Sequence, residues 1–458
     1  MDYGNLSVSA TERFKRNVSS RVRKPACDVF IAGIGDVSAY VKNYDFDRQI
    51  SNSLRENQPS TGSVVITDVN GEWIENGHPI IKAGAGVIIN AGFDNDMIPR
   101  YTGIVNNSRA DTKSGEITLE ISDNASILSE KQAEGFFSDY PFPKDLINKI
   151  ISGINPNISV NYDSSAGEVA TFDFGSSLGA SFASLCSAGS GTTMIDTTHN
   201  FEKVELGMAI KNVTDGSVGL ITTITSTAPA TTPNDTIVCS AGLHGGSDNS
   251  WAVNDAYQVY EKLYIEPRSF WDLIVGATYC VFQVPYFDEN GVLQIQRRSK
   301  FSDTDIVFYD KDIESIDYLD ATQLINLKSV SFRKSVRYSD KLGSSDDIEI
   351  GQKHRKVTLP MSIEQFKEYA DFTDEPLITT WSAAGKVINQ ELAWYSYPRY
   401  LLTLDCLARP ELQYFDRISI YSDKRKIYGR FTIIGINESY MPGNYTNRFT
   451  LLSSQERF

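Results

Sequence analysis

The sequence has 458 residues, enough for about three domains, and its 43 Lys and Arg against 58 Asp and Glu give a net charge of -15. Hydrophobic residues make up 41% and charged residues 22%, an ordinary globular composition that excludes a disordered or fibrous chain. A surface this acidic argues against a protein that grips duplex DNA, which needs basic residues on the phosphates, although a polyanion can slide past such a surface.

Nothing in the sequence predicts a membrane segment or a secretion signal. No apolar run approaches the ~18–20 residues of a membrane helix. Arg13, Lys15 and Arg16 stand where a signal peptide would have its apolar region. We therefore expect a chain that is made in the cytoplasm and does not insert into a membrane.

The cysteines predict neither a disulfide framework nor a zinc site. They are odd in number and far apart, and none forms a C-x-x-C pair: Cys27, Cys186, Cys239, Cys280 and Cys406. Cys280 and Cys406 lie in apolar stretches, so we expect them to be small hydrophobic residues of the core.

Residues 1–26 form a basic arm. Six basic residues and two acids give the arm a charge of +4, which leaves -19 on residues 27–458. Two interpretations stay open: a solvated terminus, or an arm that docks on an acidic neighbouring subunit.

Residues 27–130 predict a first β unit, a sandwich or a barrel. Short β-branched or alternating runs are separated by turns rich in Gly, Asn, Asp and Ser. Gly84, Gly86, Gly92 and Gly103 fall where we expect a turn or a close approach of two backbones.

Residues 131–186 and 263–312 predict a middle α+β domain. Within 141–154 an apolar stripe of helical period runs between Pro143 and Gly153. A second helix is predicted after Pro267, followed by a hairpin with its turn at 288–291.

Between these helices, residues 187–262 predict an inserted all-β domain. From 187 to 250 there are 7 Ser, 12 Thr and 8 Gly with only 8 charged residues, yet short strand patterns and turns recur. Residues 313–458 then predict a second β barrel or sandwich, interrupted by one helix at 361–372 with Ile363, Phe366 and Tyr369 on one face. The predicted fold class is mainly β with minor α.

No catalytic constellation emerges from the motifs. The histidines, His78, His199, His244 and His354, lie in separate turns without metal-binding spacing, and there is no phosphate-binding loop. One G-x-S-x-G match centres on Ser177 but lacks the alternating strands and helices of a nucleophile elbow. We predict no enzyme, no cofactor and no metal site.

Three stretches resemble the baseplate hub, or tail tip hub, proteins of tailed bacteriophages. Residues 83–128, with the run YTGIVNNSRA and then ISD before a helix, resemble the first barrel of those proteins. Residues 268–296 are similar to their middle domain, and the closing stretch from Asp416 is similar to their second barrel.

The inserted domain resembles a small β module that recurs in phage virion proteins. The residues that carry the likeness are 192–196, Phe201, 207–210, Asn212, 214–216, 245–249, Trp251, Asp255 and Tyr257.

The hub resemblance implies a structural virion protein. In that family two barrels per chain assemble as a homotrimer, whose six barrels join the sixfold tail tube or distal tail protein to threefold tip or fibre proteins. The acidic body would surround passing genomic DNA without binding it specifically. The implied location is the virion tail tip or baseplate, after assembly in the host cytoplasm.

Two other hypotheses stay open. In the first, the inserted domain binds host-surface glycans, with Trp251 and Tyr257 as stacking residues. In the second, the chain is an enzyme, either an esterase that uses Ser177 or a glycosidase that uses two of Asp94, Asp96, Asp248 and Asp255.

Overall fold

The computed structural model describes residues 24–51, 55–93, 96–136, 143–163, 183–202, 204–226, 232–260, 264–298, 302–321, 325, 327–333, 352–358, 368–374, 377–378, 381–395 and 399–453. Within these ranges the chain is mainly β with few helices, which confirms the predicted fold class. Most of the basic arm, Asp94, Ser177 and residues 361–367 of the predicted late helix lie outside the described residues.

The first β unit is a curved sheet that runs in the order β2-β1-β7-β8-β9-β4-β3. Its inward side chains, from Val29 to Ile121, form one apolar core. The elements are β1 Pro25–Ile31, β2 Gly35–Asp36, a 3-10 turn Ser38–Tyr40, β3 Val41–Gln49, β4 Thr61–Thr67, β5 Ile74–Glu75, β6 His78–Pro79, β7 Gly86–Phe93, β8 Asp96–Asp111, β9 Glu116–Ser122 and α1 Ala125–Glu130.

The middle segment places both predicted helices side by side in a core of its own. The amphipathic helix buries Leu146, Ile147, Ile150 and Ile151, and the second helix is almost wholly buried and capped by Ser269. The elements before the insert are β10 Gln132–Phe136, α2 Pro143–Ile154 and β11 Val160–Tyr162.

The insert consists of two small sheets packed face to face around thirteen buried residues. Its first strand pairs with its last, Ala183 opposite Gln258, so the chain enters and leaves at one place. The elements are β12 Ala183–Leu185, β13 Ala188–Ser190, β14 Thr193–Ile195, β15 Ala209–Asn212, β16 Val218–Leu220, β17 Thr223–Thr225, β18 Thr236–Val238, β19 Leu243–His244 and β20 Ala256–Tyr260.

After the insert the middle segment resumes, and the predicted hairpin around 288–291 is confirmed. The elements are β21 Tyr264–Ser269, α3 Phe270–Tyr279, β22 Gln283–Phe287 and β23 Leu293–Arg297.

The second β unit differs from its predicted extent. It begins before residue 313, because β24 pairs with β30. After residue 321 the chain contributes Ile325, Leu377, Ile378 and side chains of 384–395 to the middle core. The elements are β24 Ser302–Tyr309, β25 Ser315–Ala321, β26 Leu327–Arg333, β27 Gln352–Thr358, β28 Ala370–Asp374, α4 Trp381–Tyr395, β29 Tyr400–Leu407, β30 Asp416–Ser422, β31 Ile427–Met441 and β32 Asn444–Ser453.

The helix predicted at 361–372 needs correction. Residues 370–372 belong to strand β28, which pairs in parallel with β26, and Tyr369 is half exposed rather than part of an apolar face. Further along the described chain, helix α4 places Val387, Ile388 and Leu392 in the middle core.

Candidate functional site

The two β units are joined into one sheet by strands β3 and β31. Six antiparallel residue pairs connect them, from Tyr44 opposite Tyr440 to Gln49 opposite Gly435. Strand β31 pairs with β30 up to Thr432 and with β3 from Gly435 onward. The result is a continuous thirteen-stranded sheet that includes strands of both units.

A buried ion pair crosses this joint on its inner side. Arg100 of β8 and Glu438 of β31 are both fully buried, and the guanidinium donates to the carboxylate at 2.7 and 2.9 Å. Tyr44 and Tyr445 donate to the other carboxylate oxygen at 3.0 and 2.7 Å, and Arg100 also donates to the carbonyl of Pro410. The buried charge of Arg100 in the first unit is therefore neutralised by Glu438 of the second unit, across the joint.

The pair holds its charges despite burial. Burial raises the pKa of Glu438, but the charge of Arg100 and the hydrogen bonds from Arg100 and Tyr445 outweigh it and leave the pKa below its ordinary value. Glu438 therefore stays ionised at neutral pH and continues to pair with Arg100.

The middle segment is attached to the same joint. Arg48, at the end of β3, is 2% exposed, and its guanidinium lies 3.8 Å from Glu289 and over the ring of Tyr414. The loop after β3 is held as well, because Trp271 donates to the carbonyl of Asn57 and the Asn57 amide donates to Pro285, both at 2.6 Å. The joint is thus supported on one side by the hairpin β22–β23 and helix α3.

A second buried charge cluster connects the first unit to α4. Lys328 is fully buried between Glu391, at 2.8 Å, and Asp371, and Arg55 reaches the same two carboxylates at 3.4 and 2.9 Å. Two cations and two anions balance here, so the cluster is a structural contact between segments rather than a charged site.

The opposite face of the joined sheet is polar and exposed to solvent. Side chains that alternate with the core residues point outward from β9, β4, β3, β31 and β32, and most are short and polar. Rows run straight across the joint, as in Glu120–Ser63–Asp45–Ser439–Thr446. We call this surface the joint face.

Acidic residues outnumber basic ones on and beside the joint face. The acids are Asp45, Asp47, Glu116, Glu120, Asp303, Asp317 and Asp405, and the bases are Lys42, Arg109, Arg430 and Arg448. Each of these bases pairs with one of these acids: Lys42 with Glu116, Arg109 with Glu120 at 3.1 Å, Arg430 with Asp303 at 4.0 Å, and Arg448 with Asp405 at 2.6 Å. What remains is an excess of negative charge on a surface with few apolar side chains.

The two residues proposed for glycan stacking do not reach the surface. Trp251 is 2% and Tyr257 1% exposed, and both belong to the core of the insert. The Tyr257 hydroxyl donates to buried Asp196 at 2.6 Å. A module of short strands has few residues with which to fill its interior, so its large aromatics are core residues, and the stacking hypothesis is corrected.

The three carboxylates proposed for a glycosidase that the structure describes have separate local environments. Asp96 is buried at the start of β8, and Asp248 is exposed in a turn where it accepts from Ser250. Asp255 is held by the Asn212 amide and the Ala252 amide, both at 2.7 Å. These roles are local and structural.

Other signs of a small-molecule site are weak in the described ranges. No three metal-binding side chains there converge on one point, and all five cysteines are buried free thiols, including Cys280 and Cys406 as expected. One cavity, between Ile50, Arg298 and Trp394, has a volume of about 10 Å³, room for about one water molecule. None of the described helices has the length and apolar character to cross a bilayer.

Comparisons with known proteins agree with this architecture. No protein-family profile and no curated protein matches the sequence. Among solved structures, the tail protein from Neisseria meningitidis MC58 matches 94% of this chain and 97% of its own, with 13% identity and a TM-score of 0.51. The 43 kDa tail protein of prophage MuSo2 from Shewanella oneidensis matches 93% of this chain and 98% of its own, with 10% identity and a TM-score of 0.51. From end to end, the chain has the fold of these tail proteins.

Proposed function

We propose that the chain is a structural protein of a phage tail, the central hub of its tip or baseplate, and not an enzyme. Three copies form a ring that joins the sixfold tail tube, or a distal tail protein, to threefold tip or fibre proteins. The observation that carries the proposal is the joint between β3 and β31, because it gives each chain two tube-like units in one sheet. Three such chains supply the six positions that a sixfold tube requires.

The joint face is proposed to line the channel through which the genome leaves. Its surplus of carboxylates repels a polyanion, and its short polar side chains offer a duplex no basic groove to bind. This assignment gives the net charge of the chain a role at a defined surface.

Glycan binding by the insert finds no support at the residues proposed for it, since both are buried. The hub therefore remains the single function proposed.

Copy number tests the proposal. Mass measurement or imaging of assembled tails should give three copies around the axis, and two or six copies would contradict the ring. Assembled tails are the right sample because the tube contributes part of the interface.

The channel assignment has its own test. Asp45→Lys combined with Asp47→Lys should leave tails assembled but slow DNA ejection, with the delay shortened by added salt. Glu202→Lys combined with Asp248→Lys, on two exposed side chains of the insert, is the matched control. An unchanged rate of DNA ejection in the double variant would mean that the joint face does not line the channel.

A further inference from the structure

The buried charge cluster that connects the first β unit to α4 brings an amine and two carboxylates together. The side chain of Lys328 is fully buried, and that of Glu391 is 2% exposed. The Lys328 ammonium donates to Asp371 Oδ2, and its Nζ lies 2.8 Å from Glu391 Oε2. The amine therefore meets both carboxylates at a place where it has no contact with bulk water.

The sheet holds the amine beside the carboxyl group of Asp371. Strands β26 and β28 are parallel neighbours, and Lys328 is the register partner of Asp371. Partners in adjacent strands are separated by one strand spacing, about 4.8 Å, and their side chains leave the same face of the sheet. Two residues that are 43 positions apart in the sequence are thus held as reactants at contact distance.

Burial also changes the chemistry of the amine. Removal from water disfavours the ammonium relative to the neutral amine, which is a nucleophile. Glu391 supplies a base for the proton, because it is the second carboxylate at Nζ. Its position on α4 is fixed by Ile388 and Leu392, which belong to the middle core.

Arg55 completes the group from the other side. Its Nη2 lies 2.9 Å from Asp371 Oδ2 and 3.4 Å from Glu391 Oε1. Burial raises the pKa of Asp371, but the hydrogen bond from Lys328 and the charges of Lys328 and Arg55 outweigh it and leave the pKa below its ordinary value. Before any reaction, Lys328 and Asp371 are therefore an ion pair, and Arg55 is placed to stabilise negative charge on the carboxyl oxygen.

We propose that Lys328 and Asp371 condense to an intramolecular isopeptide bond, with Glu391 as the catalytic residue that transfers the protons. Glu391 takes one proton from the ammonium, and the electron pair of Nζ then attacks Cγ of Asp371. A second proton passes from the nitrogen through Glu391 to the departing carboxyl oxygen, which leaves with both protons as water. An ammonium and a carboxylate become one neutral amide and one water molecule, so no oxidant, reductant or co-reactant is required.

The product suits its surroundings better than the reactants do. Buried charges carry a large desolvation penalty, and the condensation removes two of the four charges in the cluster. Arg55 and Glu391 remain as an ion pair at 3.4 Å, so the charges stay balanced after the bond has formed.

A second pair shows what the site has that an ordinary ion pair lacks. Lys42 and Glu116 also contact each other, but their side chains are 52% and 30% exposed. Water hydrates that ammonium, and the structure prints no second carboxylate against it. We expect Lys42 to stay a free amine, which makes it the internal control.

The mass of the purified full-length chain tests the proposal. We expect the intact protein to be lighter than its sequence by one water molecule. After tryptic digestion, residues 312–333 and 368–386 should appear as one branched peptide, joined between Lys328 and Asp371. Lys42 should be cleaved and labelled by amine reagents as an ordinary lysine.

Two variants test the assigned roles. Lys328→Arg keeps the positive charge but should have the full mass of its sequence. Glu391→Gln keeps both reactants and should slow the loss of water by about 10²–10⁴-fold, the usual effect of a general acid–base catalyst. The rate is measured from the intact mass at intervals after cell-free synthesis of the chain.

The native chain gives the decisive result, so a variant that fails to fold does not affect the test. A native chain with the full mass of its sequence would overturn the proposal. Loss of water without the branched peptide, or a mass restored by hydroxylamine, would indicate a succinimide and would also overturn it. An equal rate in Glu391→Gln and the native chain would overturn the role of Glu391.

Discussion

At the scale of single residues, the ion pair between Arg100 and Glu438 has the largest consequence for stability. Glu438→Ala leaves a buried guanidinium without its carboxylate and removes the acceptor of two tyrosine hydroxyls. Breaking a buried pair costs about 3–5 kcal/mol, so we expect the free energy of unfolding to fall by that amount in urea titrations.

The control for this prediction is Arg448→Ala. Its guanidinium, 61% exposed, pairs with Asp405 on the surface, and such a pair contributes about 1 kcal/mol or less. Equal losses in the two variants would mean that the inner pair is not a determinant of the joint.

A second residue-level prediction concerns pH. Burial raises the pKa of Asp123 from 3.8 to about 6, although the amides of Ser60 and Ala125 donate to its carboxylate and act in the opposite direction. Because the pKa is raised in the folded state, protonated Asp123 contributes to the free energy of unfolding. This contribution is full below pH about 4 and is lost as pH rises through about 6. We therefore expect the free energy of unfolding of Asp123→Asn to rise by about 3 kcal/mol relative to that of the native chain between pH 4 and 7.

Unfolding by denaturant at several pH values measures this difference. Asp111→Asn is the control, because hydrogen bonds from Lys113 and Ser114 lower the pKa of Asp111 and give its pH dependence the opposite sign. A difference between Asp123→Asn and the native chain that does not vary with pH would contradict the assignment.

At the scale of elements, two glycines of the first unit make a matched pair. A Cβ at Gly103 would lie 2.2 Å from the Ser122 carbonyl oxygen, whereas a Cβ at Gly86 would meet only the Ala32 methyl at 3.7 Å. We expect Gly103→Ala to destabilise the chain by about 1–3 kcal/mol and Gly86→Ala to be neutral or slightly stabilising, as measured by thermal unfolding.

The reverse order of the two variants would show that β8 and β9 can move apart at little cost. The sequence predicted a constraint at both glycines, and the structure shows none at Gly86, which is an ordinary strand residue with space beside it.

Elements with a clear local pattern were predictable. Helices α2 and α3, the hairpin β22–β23 and most strands of the first unit follow from apolar periodicity and turn residues. Strands β3 and β25 were missed, although β3 forms the joint. In β3 a bulge at Lys42 breaks the alternation and Arg48 is buried where an apolar residue is expected, so VKNYDFDRQ resembles a charged loop.

The joint itself has no local signature. Its Tyr44–Glu438 hydrogen bond connects residues that are 394 positions apart. The sequence around Glu438 contains no nearby residue that predicts which side chain would neutralise a buried acid. The sequence of β3 does contain one indication of a strand. Tyr44 and Phe46 alternate with Asp45 and Asp47, a pattern that indicates one buried face and one acidic face.

At the scale of the whole molecule, we predict that the insert is removable. Its first and last strands pair, so its ends lie side by side. The excision should span 183–260, because removal of 187–262 would leave β12 without its partner strand. We expect both β units to stay folded and tails to assemble when a short Gly/Ser linker replaces 183–260, as judged by circular dichroism and by imaging of particles.

One contact bears on this outcome. Asp145 of α2 faces His244 and Lys211 of the insert, and burial raises its pKa against the opposing effect of these neighbours. Asp145→Ala should leave assembly unchanged if that contact only orients the insert. Loss of particles after excision would show that the insert carries subunit contacts, whereas reduced infectivity with normal particles would indicate an adhesion role.

The strand order β7-β8-β9-β4-β3 of the first unit recurs in the second as β30-β31-β32-β29-β25, and this repeat has a consequence for symmetry. The two units share an arrangement but not their connections: residues 50–60 link β3 to β4, while 322–399 link β25 to β29 and include α4. The two links also differ in what they contact: Asn57 bonds to Pro285 of the hairpin β22–β23, whereas α4 packs in the middle core. In the proposed ring, such chains would present surfaces that are alike where the strands lie and threefold where the links lie, so one polypeptide would accommodate a difference in symmetry between neighbouring structures.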